Sequence, residues 1–181
     1  MRISEDRYTH ELEGIDIALR FVKHQARTQT IRDWTGLSGD RIRSLHQTYV
    51  RPSPDYVPRP RGRSPYKINQ FMRSQRHQDE TTTLARMLSL LGAVPPAPGL
   101  HRPTLALPDP ARAHLICFAY EMYRAQTLEP LFTFEHAIFL TKHLISASYL
   151  RLDNCLECTG LVIAEHFATG LRCCTYCTTR K

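Results

Sequence analysis

Four of the six cysteines in the chain fall in two matched pairs, Cys155-Leu-Glu-Cys158 and, fifteen residues later, Cys174-Thr-Tyr-Cys177. Thiolates are soft ligands. Two intervening residues let each pair grip one ion as a tight turn, and four sulfurs at about 2.3 Å satisfy tetrahedral Zn²⁺. Two such pairs at this separation are a strong metal signature. Four thiolates leave no coordination position for water, so one structural Zn²⁺ per chain is expected rather than a catalytic one. Choosing Cys173 in place of Cys174 would widen the second gap from two residues to three, which favours Cys174. His166 lies between the pairs and reads as a surface histidine. Cys117, on the apolar side of a helix, reads as a small buried hydrophobe. Leu161-Val-Ile163 and Phe167 fit a small strand pair inside the intervening segment, with Gly170 at its turn.

A second set of residues points to a polyanion. Net charge is +7. Arg51, Arg59, Arg61, Arg63, Lys67, Arg73 and Arg76 lie within 26 residues, opposed before Asp79 by Asp55 alone. Pro52, Pro54, Pro58, Pro60 and Pro65 interrupt this stretch. Each lacks an N–H and fixes φ, so the segment is expected to be extended and able to track phosphates. Just upstream, Thr28 to Tyr49 reads TQTIRDWTGLSGDRIRSLHQTY. Gly36 stands where a helix-turn-helix needs a residue that tolerates positive φ. Ile31, Ile42 and Leu45 stand where its helices would touch. Arg41, Arg43, Ser44 and Gln47 would then face outward, and arginine and glutamine can read base edges in the major groove.

These groups need a scaffold. Leu12, Ile15, Leu19 and Val22 recur at helical spacing. A short helix is expected over 29–35, and Ser38 is placed to cap the next, which carries Ile42, Leu45 and Tyr49. Helix resumes over 67–91, as one helix or as two divided in the polar middle, residues 73–83. Further helices are expected over 110–126, with Asp109 as cap and Pro110 in the first turn, and over 131–147. The expected fold is mainly α: a helical body with a helix-turn-helix-like unit and a small C-terminal zinc-ribbon-like module built on four cysteines. Its divisions are 1–92 (the helix-turn-helix-like unit at 28–50, the basic Pro/Arg segment at 51–67), a helical core at 109–152, and a zinc-binding module at 153–181. No apolar run approaches the roughly 20 residues that span a bilayer. The start, Met1-Arg-Ile-Ser-Glu-Asp6, is polar where a signal peptide is apolar. A cytoplasmic protein with reduced thiols is expected, which favours metal over disulfides.

Five runs, Asp16-Ile-Ala-Leu-Arg-Phe, Arg41-Ile-Arg-Ser-Leu45, Arg51-Pro-Ser-Pro54, Leu131-Phe-Thr-Phe-Glu-His-Ala-Ile-Phe-Leu and Leu150-Arg-Leu-Asp-Asn-Cys155, precede the paired cysteines in this order. Together they resemble the FlhC family, subunits of the flagellar master transcriptional activator with relatives on conjugative elements. The resemblance runs from about residue 10 to 177. It implies a heterohexamer with a smaller helical FlhD-like subunit, binding to double-stranded promoter-upstream DNA, and recruitment of RNA polymerase. It also implies that Cys155, Cys158, Cys174 and Cys177 are the zinc ligands.

The expected function is therefore a DNA-binding activator subunit for flagellar or conjugative-transfer genes. Arg41, Arg43, Ser44 and Gln47 would contact bases, while Arg51, Arg59, Arg61, Arg63 and Lys67 would neutralise phosphates. The alternative is a zinc-ribbon interaction scaffold without direct DNA readout. No phosphate loop or His-Glu-x-x-His occurs, and Glu165-His166 alone is no catalytic constellation, so an enzyme is not expected.

Overall fold

The computed structural model describes residues 2–54, 58, 62, 64–95, 107–167 and 173–178, with side chains from residue 8. Among these, the protein is mainly helical, with seven α-helices and two short strands. None of the helices is long and apolar enough to cross a membrane. The chain divides into two compact units, residues 1–64 with 106–117, and residues 65–105 with 118–181. These units cut across the divisions expected from the sequence. Residues 65–92 belong with the C-terminal strands, and α5 (Pro110–Gln126) gives its first eight residues to one unit and the rest to the other.

In the first unit, α1 (Arg2–Lys23) buries Ile17, Ala18, Phe21 and Val22, spaced so that they share one face. Phe21 packs on Trp34 of α2 (Thr28–Thr35), ring centroids 5.8 Å apart. Gly36 ends α2 at φ 69°, its N–H bonded to Arg32 O. Ser38 then caps α3 (Gly39–Leu45), accepting from the Arg41 N–H at 3.3 Å. Ile31, Ile42 and Leu45 are buried, as their spacing predicts, whereas Leu37 is only half-buried. The expected helix through Tyr49 changes character at His46. A π turn covers His46–Val50, and the Arg51 N–H reaches back five residues to His46 O at 2.9 Å.

A Cβ at Gly36 would meet no atom within 4 Å, so only backbone strain opposes a side chain there. Gly36→Ala is expected to cost about 1–2 kcal/mol in denaturant unfolding, the penalty for an L-residue in the left-handed region. Gly36→Asn should recover part of it, because asparagine tolerates that region better.

The second unit opens with a 3₁₀ turn, Ile68–Met72, followed by α4 (Gln75–Leu90). The division falls at Arg73-Ser74, where Ser74 caps α4 by accepting from the His77 N–H at 3.4 Å. With α6 (Phe134–Ser146) and residues 118–126 of α5, these elements bury Phe71, Leu84, Leu88, Tyr123, Phe132, Phe134 and Leu140. A polar knot sits in this apolar setting. The buried Glu80 carboxylate accepts from Tyr123 Oη at 2.5 Å, the Leu131 N–H at 2.9 Å and Arg76 Nε at 2.9 Å. Arg76 also donates to Glu129 O at 2.7 Å. Part of the basic run read from the sequence is thus committed to packing.

Burial alone would raise the Glu80 carboxyl, but hydrogen bonds from Tyr123, Leu131 and Arg76 outweigh it and hold the group below its ordinary 4.5. Burial, and then the bond to Glu80, push the Tyr123 phenol well above its ordinary 10. The depressed carboxyl contributes stability that is full above pH 4.5 and lost as pH falls through its folded value. The raised phenol contributes stability that is full below pH 10 and lost as pH rises beyond it. Glu80→Gln is expected to cost about 2 kcal/mol at neutral pH, as hydrogen bonds to a charged group do. In urea unfolding against pH, that deficit should shrink on acidification below the ordinary carboxyl range.

The strands are β1 (Leu150–Asn154) and β2 (Leu161–Glu165), antiparallel, with Leu150 opposite Glu165 and Asn154 opposite Leu161. This corrects the expected hairpin. The partner of 161–165 precedes the first cysteine pair rather than following β2, and Phe167 lies in a turn. The expected turn at Gly170 lies outside the described residues. Leu150 and Leu152 of β1 are buried with Val162, Ile163 and Ala164 of β2, and that burial selects the pairing.

Candidate metal centre and candidate nucleic-acid face

The loop between β1 and β2 is itself the first cysteine knuckle. Cys155 N–H donates to Gly160 O at 2.8 Å, and Thr159 N–H returns to Cys155 O at 2.9 Å. Thr159 takes φ 60° to close the turn. The second knuckle leads into the one-turn helix α7 (Thr175–Thr178), where Thr178 N–H bonds Cys174 O at 3.0 Å. The Sγ atoms of Cys155, Cys158, Cys174 and Cys177 all lie within 4.8 Å of one another. Cys158 and Cys174 sulfurs are 3.7 Å apart. Four sulfurs at about 2.3 Å from one ion stand about 3.8 Å apart at the corners of a tetrahedron. The four cysteines could therefore hold a metal ion, and their geometry and softness are compatible with zinc. Cys173 and His166 lie outside the group.

The local charge balance supports the same conclusion. Backbone N–H groups of Cys158, Cys174 and Glu157 converge on Cys155 and bring its thiol down to about 6. The Cys174 N–H stands 3.2 Å from that sulfur. Cys177 is pushed up, first by its contact with the Cys174 sulfur, then by burial and the sulfurs of Cys158 and Cys155. A thiolate at Cys155 is stabilised, and a second one beside it at Cys177 is opposed. A divalent cation removes that conflict, because each ligand then gives up its proton to the ion's charge.

The residues expected to meet nucleic acid are distributed as follows. Arg41, Arg43, Ser44 and Gln47 are all exposed on α3 and its π turn, and Arg51 is exposed at the end of that turn. Arg43 Nη1 pairs with Asp40 at 2.8 Å, and Arg41 Nη2 lies 3.7 Å from Glu11. Arg32, on α2, is also exposed. Arg59, Arg61 and Arg63 lie outside the described residues. Lys67 belongs to the second unit, exposed, with Nζ 5.6 Å from the Tyr66 ring centroid. Cys117 is buried, as its place on an apolar helix face predicts.

Two residues near the metal centre escape pattern reading. Arg86 donates through Nε to Leu161 O at 2.7 Å, and Thr82 Oγ1 accepts from the Ile163 N–H at 3.4 Å. Both lie on α4, about 70 residues before the cysteines, and no spacing rule connects the two segments.

No protein-family model matches the chain, and no curated protein is significantly similar to it.

Proposed function

We propose that this chain is a zinc-containing, DNA-binding subunit of a transcriptional activator of the FlhC type. The observation that carries the reading is the division of α3. Ile42 and Leu45 are buried, and Arg41, Arg43, Ser44 and Gln47 stand exposed after a left-handed turn at Gly36. That is how a helix-turn-helix presents its recognition helix. Exposed ion pairs such as Arg43–Asp40 are worth about 0–1 kcal/mol, so DNA competes for these arginines at little cost. The basic segment from Arg51 supports backbone contact, and the FlhC resemblance of the quoted runs supports an FlhD-like partner and RNA polymerase as the recruited enzyme. The four cysteines would bind Zn²⁺ and order the two knuckles rather than read sequence.

The test is co-expression with a small helical protein of the FlhD type, followed by a mobility-shift assay on promoter-upstream DNA. A complex that shifts its promoter, and loses discrimination over random DNA in Arg43→Ala, is expected. A stable complex that ignores DNA at low salt would favour the scaffold reading instead.

A further inference from the structure

Four thiolates around Zn²⁺ leave a net charge of −2, and Glu157 lies within the first knuckle. Such a centre needs compensation from nearby donors and cations, which fix the ligands and adjust affinity. The Cys174 N–H, 3.2 Å from the Cys155 sulfur, supplies part of this. Cys158 is the exposed member of the set.

Gly160 shows what stands beside Cys158. A Cβ built on Gly160 would lie 3.5 Å from Cys158 Sγ and 3.6 Å from Arg86 Nη2. The Cys158 sulfur and the Arg86 guanidinium thus both border Gly160, each at ordinary contact distance from where a side chain would begin. The guanidinium is held there by geometry. Its Nε is bonded to Leu161 O at 2.7 Å, which fixes the planar fork and leaves Nη2 on the Cys158 side. Thr82, one turn earlier on α4, makes a second tie to the same strand.

We propose that Arg86 is the positioning cation of the metal centre. It compensates the tetrathiolate charge at Cys158 and couples metal affinity to α4. This rests on the zinc reading of the four cysteines. Arginine suits the role because it keeps its charge and spends one N–H on a carbonyl while presenting the others.

Cobalt titration of the full chain, followed by zinc competition against a chelator at low and high salt, tests the assignment. The unsubstituted chain should give tetrathiolate cobalt bands. Arg86→Gln keeps a hydrogen-bond donor but not the charge, and should bind metal about tenfold more weakly, the lower end of what losing such a neighbour costs. Arg86→Lys should stay close to the unsubstituted chain. The Arg86→Gln deficit should narrow at high salt, where screening weakens the lost attraction. Equal affinity in Arg86→Gln, an equal fall in Arg86→Lys, or a deficit indifferent to salt would each overturn the proposal. Absence of tetrathiolate bands in the unsubstituted chain would instead overturn the zinc reading, and this inference with it.

Discussion

Stripping the metal from the purified chain is expected to abolish amide protection over residues 155–160 and 173–178 while α4, α5 and α6 stay folded. The knuckles are held by few bonds of their own: Cys155 to Gly160, Thr159 to Cys155, and Thr178 to Cys174. Short segments without an apolar core take their folding free energy from the ion, about 10–16 kcal/mol in small zinc-finger peptides. The strand pair differs, because Leu150, Leu152, Val162, Ile163 and Ala164 are buried and α4 bonds to β2. The boundary of unfolding should therefore fall at the ends of the strands, not at residue 153. Cys155→Ala removes one ligand of four, about 3 kcal/mol on that scale, or roughly a hundredfold in affinity. Cys173→Ala should leave affinity unchanged. Hydrogen exchange with and without chelator, and zinc competition on the two variants, check these expectations. Exchange spreading through α4 would show that the helical body depends on the metal too.

The second large effect concerns DNA. Replacing Arg59, Arg61 and Arg63 together by alanine is expected to weaken binding to every DNA sequence alike. If each neutralises one phosphate, the slope of log affinity against log salt should flatten by about 2.7, at about 0.9 per contact. Arg43→Ala should behave differently. A base contact is worth about 1–3 kcal/mol of discrimination, so specificity should fall more than affinity for random DNA. Filter binding or anisotropy across a salt series separates the two. An unchanged slope in the triple variant would remove the basic segment from the interface.

Much of this architecture was legible beforehand because it rests on local chemistry. Gly36 and Ser38 announce a helix end and a helix start through φ and a hydroxyl, and both act so. Pro110 opens α5 where its missing N–H costs nothing. The metal cluster was legible because ligand spacing survives any change of surroundings. What was not legible depends on distant partners. The strand Leu150–Asn154 is short, and only β2 and the burial of Leu150 and Leu152 make it a strand. Glu80 reads as one more charge on a polar helix until Tyr123 and Leu131, over 40 residues away, turn to meet it. The π turn after Leu45 leaves no mark in residue spacing, because it is one inserted step in an otherwise helical run.

The cover that α4 gives to β2 has a further consequence. Leu161-Val-Ile-Ala is apolar and β-prone, and a strand with an open edge templates the addition of further strands. Thr82 and Arg86 occupy backbone groups at that edge. Damage to this contact should thus also appear as self-association of the chain. The solubility of a Thr82→Val variant, which loses the bond to the Ile163 N–H and leaves Arg86 in place, would report how well the edge is sealed.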